Sequence, residues 1–136
     1  MKKFYLLLTL LFSLSCFAES CSISDKEVKR LSEKNRDYFT FVFTNVSNKI
    51  AIEIKAPRTL EDKDLDNIFL IGRNNLSEEI DWAIPIAMYP ISTDESHVTT
   101  EMLLPNEVTK HAFFSISYGK GECLPYMQYK LSQLKK

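Results

Sequence analysis

The chain has 136 residues, of which 45% are hydrophobic and 26% are charged. This apolar content is enough for the core of one domain and excludes wholesale disorder. Only three glycines occur, all at or after Gly72, so neither common Gly-rich phosphate loop is present. The two histidines and three cysteines are not spaced as the ligands of a zinc site usually are. The 17 basic residues are balanced by 18 acidic ones, so the chain lacks the excess of positive charge that is typical of nucleic-acid-binding proteins. We therefore expect no metal, no cofactor and no nucleic-acid partner.

The N-terminus has the features of an export signal. A basic start, Met1 to Lys3, is followed by an apolar run from Phe4 to Leu14 and by small residues before Ala18, which predicts a signal peptide of residues 1–18. The apolar run is shorter than the ~20 residues of a spanning helix. The double-lysine start is typical of bacteria, so we predict the periplasm. The alternative is a lipoprotein anchored through Cys16, although the preceding residues fit a lipobox poorly.

Cleavage would leave residues 19–136 as a single β-rich domain of 118 residues, 136 less the 18 of the signal. Its formal net charge is −3 rather than −1, because Lys2 and Lys3 leave with the signal. No second apolar run approaches membrane length, so we expect a soluble product. The two remaining cysteines, Cys21 and Cys123, predict a disulfide in an oxidising compartment. Closing so long a loop stabilises a protein by roughly 4–5 kcal/mol in the chain-entropy account.

The first predicted element is a short amphipathic helix. Ser24 and Glu27 form a capping box, with Ser24 as N-cap, and Ile23 can pack on Val28 as a hydrophobic staple. The apolar stripe ends near Asn35, where we expect the helix to end.

From Asp37 onwards the apolar residues alternate with a period of two, which indicates strands. The shared faces of the first two strands carry Phe39, Phe41 and Phe43, and then Ile50, Ile52 and Ile54. Residues 45–48 between them predict a hairpin loop. The acidic residues 57–66 predict a loop or a helical turn.

The remaining strands follow from the same alternation. They are predicted over Asn67–Arg73, Trp82–Ile91, His97–Leu104, His111–Tyr118 and Tyr126–Leu131. Pro85 and Pro90 make the second of these an edge or bulged strand. Seven strands and one short N-terminal helix predict a mainly β fold, either a β-sandwich or a curled antiparallel sheet.

The sequence contains no recognisable catalytic constellation. His97 and His111 each open a strand and could lie close together, but no nucleophilic serine or free cysteine in an elbow accompanies them. The paired acids Glu61-Asp62, Glu78-Glu79 and Asp94-Glu95 fall in polar loops, where carboxylates are usually solvated, unlike those of a glycosidase. We therefore predict no catalytic residues, and a protein that is not an enzyme.

The best candidate for a binding site is the turn from Tyr118 to Glu122. Two of the three glycines, Gly119 and Gly121, flank Lys120 here, and Glu122 and Cys123 follow. A rigid projecting tip with a cation and an aromatic ring would suit insertion into a partner's cleft. The simpler interpretation is a hairpin turn beside a disulfide.

An exported, disulfide-closed β domain without catalytic groups is suited to binding, and the acidic balance favours a partner with a basic groove. The architecture resembles the secreted immunity proteins that protect bacteria from type VI secretion effectors, in particular from lysozyme-like muramidases. The resemblance depends on the Met1–Ala18 signal, the Cys21 and Cys123 pair and the Phe39–Phe43 strand. It implies one-to-one inhibition of a peptidoglycan hydrolase by occlusion of its glycan cleft, and it allows a homodimer.

The alternative function is a structural or carbohydrate-binding module of the envelope. An exposed shelf made from Trp82 and several tyrosines would favour sugar binding.

Overall fold

The computed structural model describes residues 23–88, 96–121 and 124–134. Its first element is helix α1, Asp25–Asn35. The Ser24 hydroxyl accepts a hydrogen bond from the Glu27 N–H at 3.3 Å, so the predicted N-cap is confirmed. A 3-10 turn, Arg36–Tyr38, then leads into the first strand. The predicted signal peptide and the Cys21–Cys123 disulfide lie outside the described residues.

Eight strands lie within the described ranges. They are β1 (Thr40–Val46), β2 (Lys49–Pro57), β3 (Thr59–Leu60), β4 (Lys63–Gly72), β5 (Trp82–Pro85), β6 (His97–Pro105), β7 (Ala112–Tyr118) and β8 (Tyr126–Lys130). A second 3-10 turn, Val108–Lys110, precedes β7, and a short helix α2, Leu131–Leu134, follows β8.

The strands form two antiparallel sheets. The three-stranded sheet has the order β1-β2-β6, and the five-stranded sheet has the order β3-β4-β7-β8 with β5 also paired to β4. The aromatic rings of β1 lie against the second sheet, since Phe41 contacts both Phe114 in β7 and Tyr129 in β8. The predicted mainly β class, with one helix near the N-terminus, is confirmed.

The alternating residues form the core between the two sheets. Ile50, Ile52 and Ile54 are fully buried, as are Phe114 and Ile116 on the facing sheet. Because successive side chains of a strand point to opposite faces, this burial leaves the intervening residues of β2 and β6 on the outside of the three-stranded sheet.

The predicted β1–β2 hairpin is present, with a shorter turn than expected. Val46 pairs with Lys49, so only Ser47 and Asn48 form the turn. Ser47 has a positive φ of 56°, which a two-residue turn needs to match the twist of its strands. The predicted loop therefore ends correctly at Asn48, but its start was wrong, because Asn45 and Val46 continue β1.

The acidic segment 57–66 is not a loop or a helical turn. It forms β3, a two-residue turn and the start of β4, because Glu61 and Asp62 both take left-handed backbone conformations, with φ of 50° and 61°. The polar composition of this segment predicts a loop. A tight turn of this kind needs left-handed backbone conformations, which are disfavoured for residues other than glycine, so the sequence does not predict it.

Two edges of the sandwich are covered by other parts of the chain. Helix α1 lies along β8, where the Gln128 N–H donates to the Ser32 hydroxyl at 2.8 Å. Residues 86–88 bridge β4 and β6, since the Ile86 N–H donates to the Ile68 carbonyl at 2.8 Å and the Thr100 hydroxyl donates to the Ala87 carbonyl at 2.9 Å. By contrast, β1 pairs only with β2 within the described ranges.

No helix in those ranges has the length and apolar character needed to cross a membrane.

The left-handed conformation of the β3–β4 turn predicts a stabilising substitution. Asp62→Gly removes the steric cost of a positive φ, so we expect the free energy of unfolding to rise by about 0.5–1 kcal/mol in urea denaturation. Asp66→Gly, within β4 and without a positive φ, is the matched control and should lower it. Equal effects of the two substitutions would contradict strain at Asp62.

Candidate functional site

The predicted tip around Lys120 is a glycine-flanked turn with an exposed cation. Gly119 and Gly121 have φ of 103° and 122°, conformations that glycine adopts without steric cost. The Gly119 N–H donates to the Asp64 carbonyl at 2.8 Å, which holds this turn beside the β3–β4 turn. Lys120 is exposed. Glu122 and Cys123 lie outside the described residues.

Tyr118 does not belong to the exposed tip. Its side chain is only 2% exposed, and its hydroxyl donates to the Pro57 carbonyl at 2.7 Å. Burial raises the pKa of the phenol above its usual range. The prediction that this ring projects toward a partner was therefore wrong, because Tyr118 is on the core-facing side of β7 and connects the two sheets.

The neighbouring β3–β4 turn gives this end of the molecule mixed charge. Lys34 of α1 forms an ion pair with Glu61, and the hydrogen bond from Lys34 lowers the pKa of that carboxyl. The Lys63 side chain lies beside Gly119. Cations and carboxylates thus alternate here, and the end shows no single sign of charge.

The two histidines lie at opposite ends of the sandwich. His97 pairs with Pro57, whose carbonyl accepts the hydrogen bond from Tyr118 at the end of β7. His111 immediately precedes the start of β7, and its carbonyl accepts from the Arg73 N–H at 2.9 Å. A strand of this length spans roughly 20 Å, so the structure does not bring the histidines together. No group of three or more metal-ligating side chains was found among the described residues.

The aromatic residues considered for sugar binding are dispersed. The Trp82 ring lies so close to Gly72 that a Cβ there would meet it at 2.1 Å, so the indole covers bare backbone. Tyr129, like Tyr118, is buried, and its hydroxyl donates to the Ser32 carbonyl at 3.1 Å. Tyr89 lies outside the described residues. Among the described residues, Trp82, Tyr118 and Tyr129 therefore do not form a common exposed shelf.

The outward side of the three-stranded sheet, which we call the open face, combines apolar and charged side chains, with Lys49 and Lys55 on the same side of β2 as Glu53. Strand register places Val42, Glu53 and Glu101 in one row across β1, β2 and β6, and Thr44, Ala51 and Leu103 in the next. Val42 is 46% exposed and Leu103 is 50% exposed. Exposed apolar side chains that lie next to one another are a feature of protein interaction sites.

The two glutamates of the open face are directly opposite each other. Glu53 pairs with Glu101 in the β2–β6 register, and side chains in such a position have Cβ atoms about 4.5–5.5 Å apart. Three ion pairs join Lys29 to Glu33, Arg30 to Glu27 and Lys34 to Glu61, and none of these three includes either glutamate. Like charges directly opposite each other destabilise a sheet, so this pair weakens the free protein.

The edge of β1 adjoins the open face. Its sequence, Thr40 to Val46, contains neither a charged residue nor a proline. Charged residues and prolines are the usual means by which proteins prevent pairing at an edge strand. A partner could therefore approach both the open face and the unpaired backbone of β1.

The open face was not predicted from the sequence. Glu53 and Glu101 each occur at an ordinary outward position of an alternating strand, and they are far apart along the chain. Only the β2–β6 register brings them together. A signal was present in the unusually uncharged first strand, which we interpreted only as a contribution to the core.

In comparisons with known proteins, no family model and no curated protein matched this chain.

Proposed function

We propose that this protein is a periplasmic immunity protein that binds a peptidoglycan-hydrolysing effector and inhibits it by occluding its active-site cleft. The observation that carries the proposal is the opposed Glu53–Glu101 pair, bordered by the exposed Val42 and Leu103 on the open face. The export signal and the lack of a catalytic constellation, both read from the sequence, support it.

The opposed glutamates favour a cationic partner. An arginine or lysine placed between them would neutralise the repulsion between the two carboxylates, so binding gains a favourable charge interaction. The net negative charge predicted for the processed chain would also steer a basic surface toward it. A hydrolase with a basic glycan cleft has this chemistry.

The exposed apolar residues supply the contact area. Val42 and Leu103 flank the charged pair, and their burial against a partner would exclude water from the new ion pairs and strengthen them. The exposed Lys120 is a second candidate contact, at one end of the molecule.

Inhibition of peptidoglycan cleavage tests the proposal. The processed chain, residues 19–136, is titrated into the peptidoglycan hydrolases encoded by neighbouring genes, and we expect one of them to lose all activity at equimolar dose. If the turn around Lys120 contacts the hydrolase, Lys120→Ala should weaken inhibition in the same assay. Lys26→Ala, on the exposed side of α1, is the control and should leave inhibition unchanged. The absence of both inhibition and complex formation, or hydrolytic turnover by the chain itself, would overturn the proposal.

A further inference from the structure

A cavity distinct from the open face lies between α1, β8 and the loop after β4. Its volume is about 460 Å³, which is within the range of small-ligand sites.

The cavity is positively charged. Lys29, Arg36 and Lys130 line it, whereas Glu33 is the one carboxylate among the lining residues and lies 4.0 Å from Lys29. Three cations against one carboxylate leave an excess of positive charge that an anion would neutralise.

A fourth cation, Arg73, is buried behind the wall of the cavity. Its side chain is 7% exposed, and its guanidinium donates to the Gln128 side chain and, at 2.7 Å, to the Leu76 carbonyl, both of which belong to lining residues. Its Nε has no hydrogen-bond partner, and none of the three ion pairs described above includes it, although the Asp25 carboxylate is close enough to act on its charge. A buried cation without a directly paired carboxylate is costly, so its positive potential also favours an anion in the adjoining cavity.

Two of the three cations of the wall, Arg36 and Lys130, are already held in place. The Arg36 guanidinium lies 5.9 Å from the centre of the Tyr129 ring, and the Lys130 ammonium lies 5.6 Å from the centre of the Phe113 ring. Lys130 also donates to the Asn74 carbonyl at 2.9 Å. Binding therefore requires little further ordering of these long side chains.

The rest of the wall fits a peptide. Asn74 and Gln133 contribute side-chain amides that can pair with peptide N–H and C=O groups. The amides of Asn75 and Gln128 also line the cavity, but Asn75 already donates to Glu78 and Gln128 already accepts from Arg73. Phe113, Tyr129, Leu76 and Leu134 supply apolar surface for small side chains. A phosphate ion alone would use the charges of the cavity but neither its amides nor its apolar wall.

We propose that this cavity binds a short peptide through its free C-terminal carboxylate, with Lys29, Arg36 and Lys130 around the carboxylate and the amides along the peptide backbone. The inference does not depend on the proposed function, because none of these residues belongs to the open face.

Titration calorimetry with a matched pair of probes tests this site. N-acetyl-trialanine with a free carboxylate should bind, and the same peptide with a C-terminal amide should bind at least about tenfold more weakly because it lacks the charge. Equal affinities, or no binding of the acid at about 10 mM, would overturn the proposal. Inorganic phosphate that binds as tightly as the peptide would also overturn it, by showing a simple anion site.

Variants assign the contacts. Lys29→Gln and Lys130→Gln should each weaken binding of the acid about five- to tenfold, while Lys26→Gln, on α1 but outside the cavity lining, should not. Lys29 is largely exposed, so its substitution tests the site even if Lys130→Gln disturbs the loop through loss of the Asn74 contact. Unchanged affinity in the Lys29 variant and in a correctly folded Lys130 variant would contradict the assignment.

Discussion

Replacing Glu101 with lysine is expected to stabilise the free protein while weakening its inhibition of the partner by about 100-fold. In the free protein, the introduced ammonium would face Glu53 across β2 and β6, so a repulsion becomes an attraction worth about 0.2–1 kcal/mol. In the complex, the same ammonium would face the cation that we propose lies between the two glutamates. Loss of a close interfacial charge pair costs about 2–3 kcal/mol, which corresponds to the expected 100-fold.

Glu101→Lys is expected to raise the stability of the free protein and to weaken inhibition, so a loss of inhibition cannot be attributed to unfolding. Urea denaturation measures the free energy of unfolding, and titration of the hydrolase measures the inhibition constant. Glu79→Lys is the matched control, because it makes the same charge change on an exposed loop of the other sheet and should leave inhibition unchanged. If Glu101→Lys inhibits as well as the unaltered chain, the open face is not the contact surface.

Phe114→Ala is expected to lower the free energy of unfolding by about 3–5 kcal/mol. The Phe114 side chain is 0% exposed at the centre of β7, and its ring stacks on Phe41 of the facing sheet, with centroids 5.7 Å apart and an angle of 12° between the planes. Truncation to alanine would leave a cavity where the two sheets meet, and the surrounding strands cannot collapse into it without losing their register.

Chemical denaturation followed by circular dichroism measures this effect. Val42→Ala is the control, because Val42 is next to Phe41 in β1 but faces outward, and it should change the free energy of unfolding by less than about 0.5 kcal/mol. A loss below about 1 kcal/mol for Phe114→Ala would show that the two sheets do not share a tightly packed core.

The long alternating segments were predictable because burial on one face of a strand requires a period of two. Ile50, Ile52 and Ile54 show this period in the sequence and are fully buried in the structure. The helix after Ser24 was equally clear, since a capping box is a local arrangement within a single helical turn. These elements depend on neighbours along the chain, which the sequence displays directly.

The turns were less predictable. Glu61 and Asp62 take left-handed conformations that are unfavourable for residues with a side chain, and only the pairing of β3 with β4 and the ion pair with Lys34 explain why they do so. The polar composition predicts a loop at this position, whereas the pairing of β3 with β4 produces a tight turn.

For the candidate site, the sequence indicated which residue types were available but not which of them meet. It identified Lys120 and its glycines as a turn. The period of two that buries Phe114 and Ile116 also places Tyr118 on the core side, but its position next to Gly119 led us to assign it to the projecting turn.

The sequence by itself thus determined helix α1, most of the longer strands and the mainly β class, because the period of hydrophobic residues and the helix cap are local properties. Only the tertiary structure decided that Glu53 faces Glu101, that β1 pairs on one side only within the described residues, and that Arg73 is buried behind a cationic cavity. Each of these features depends on register or packing between segments far apart in the chain, and that arrangement is set by how the two sheets share one core.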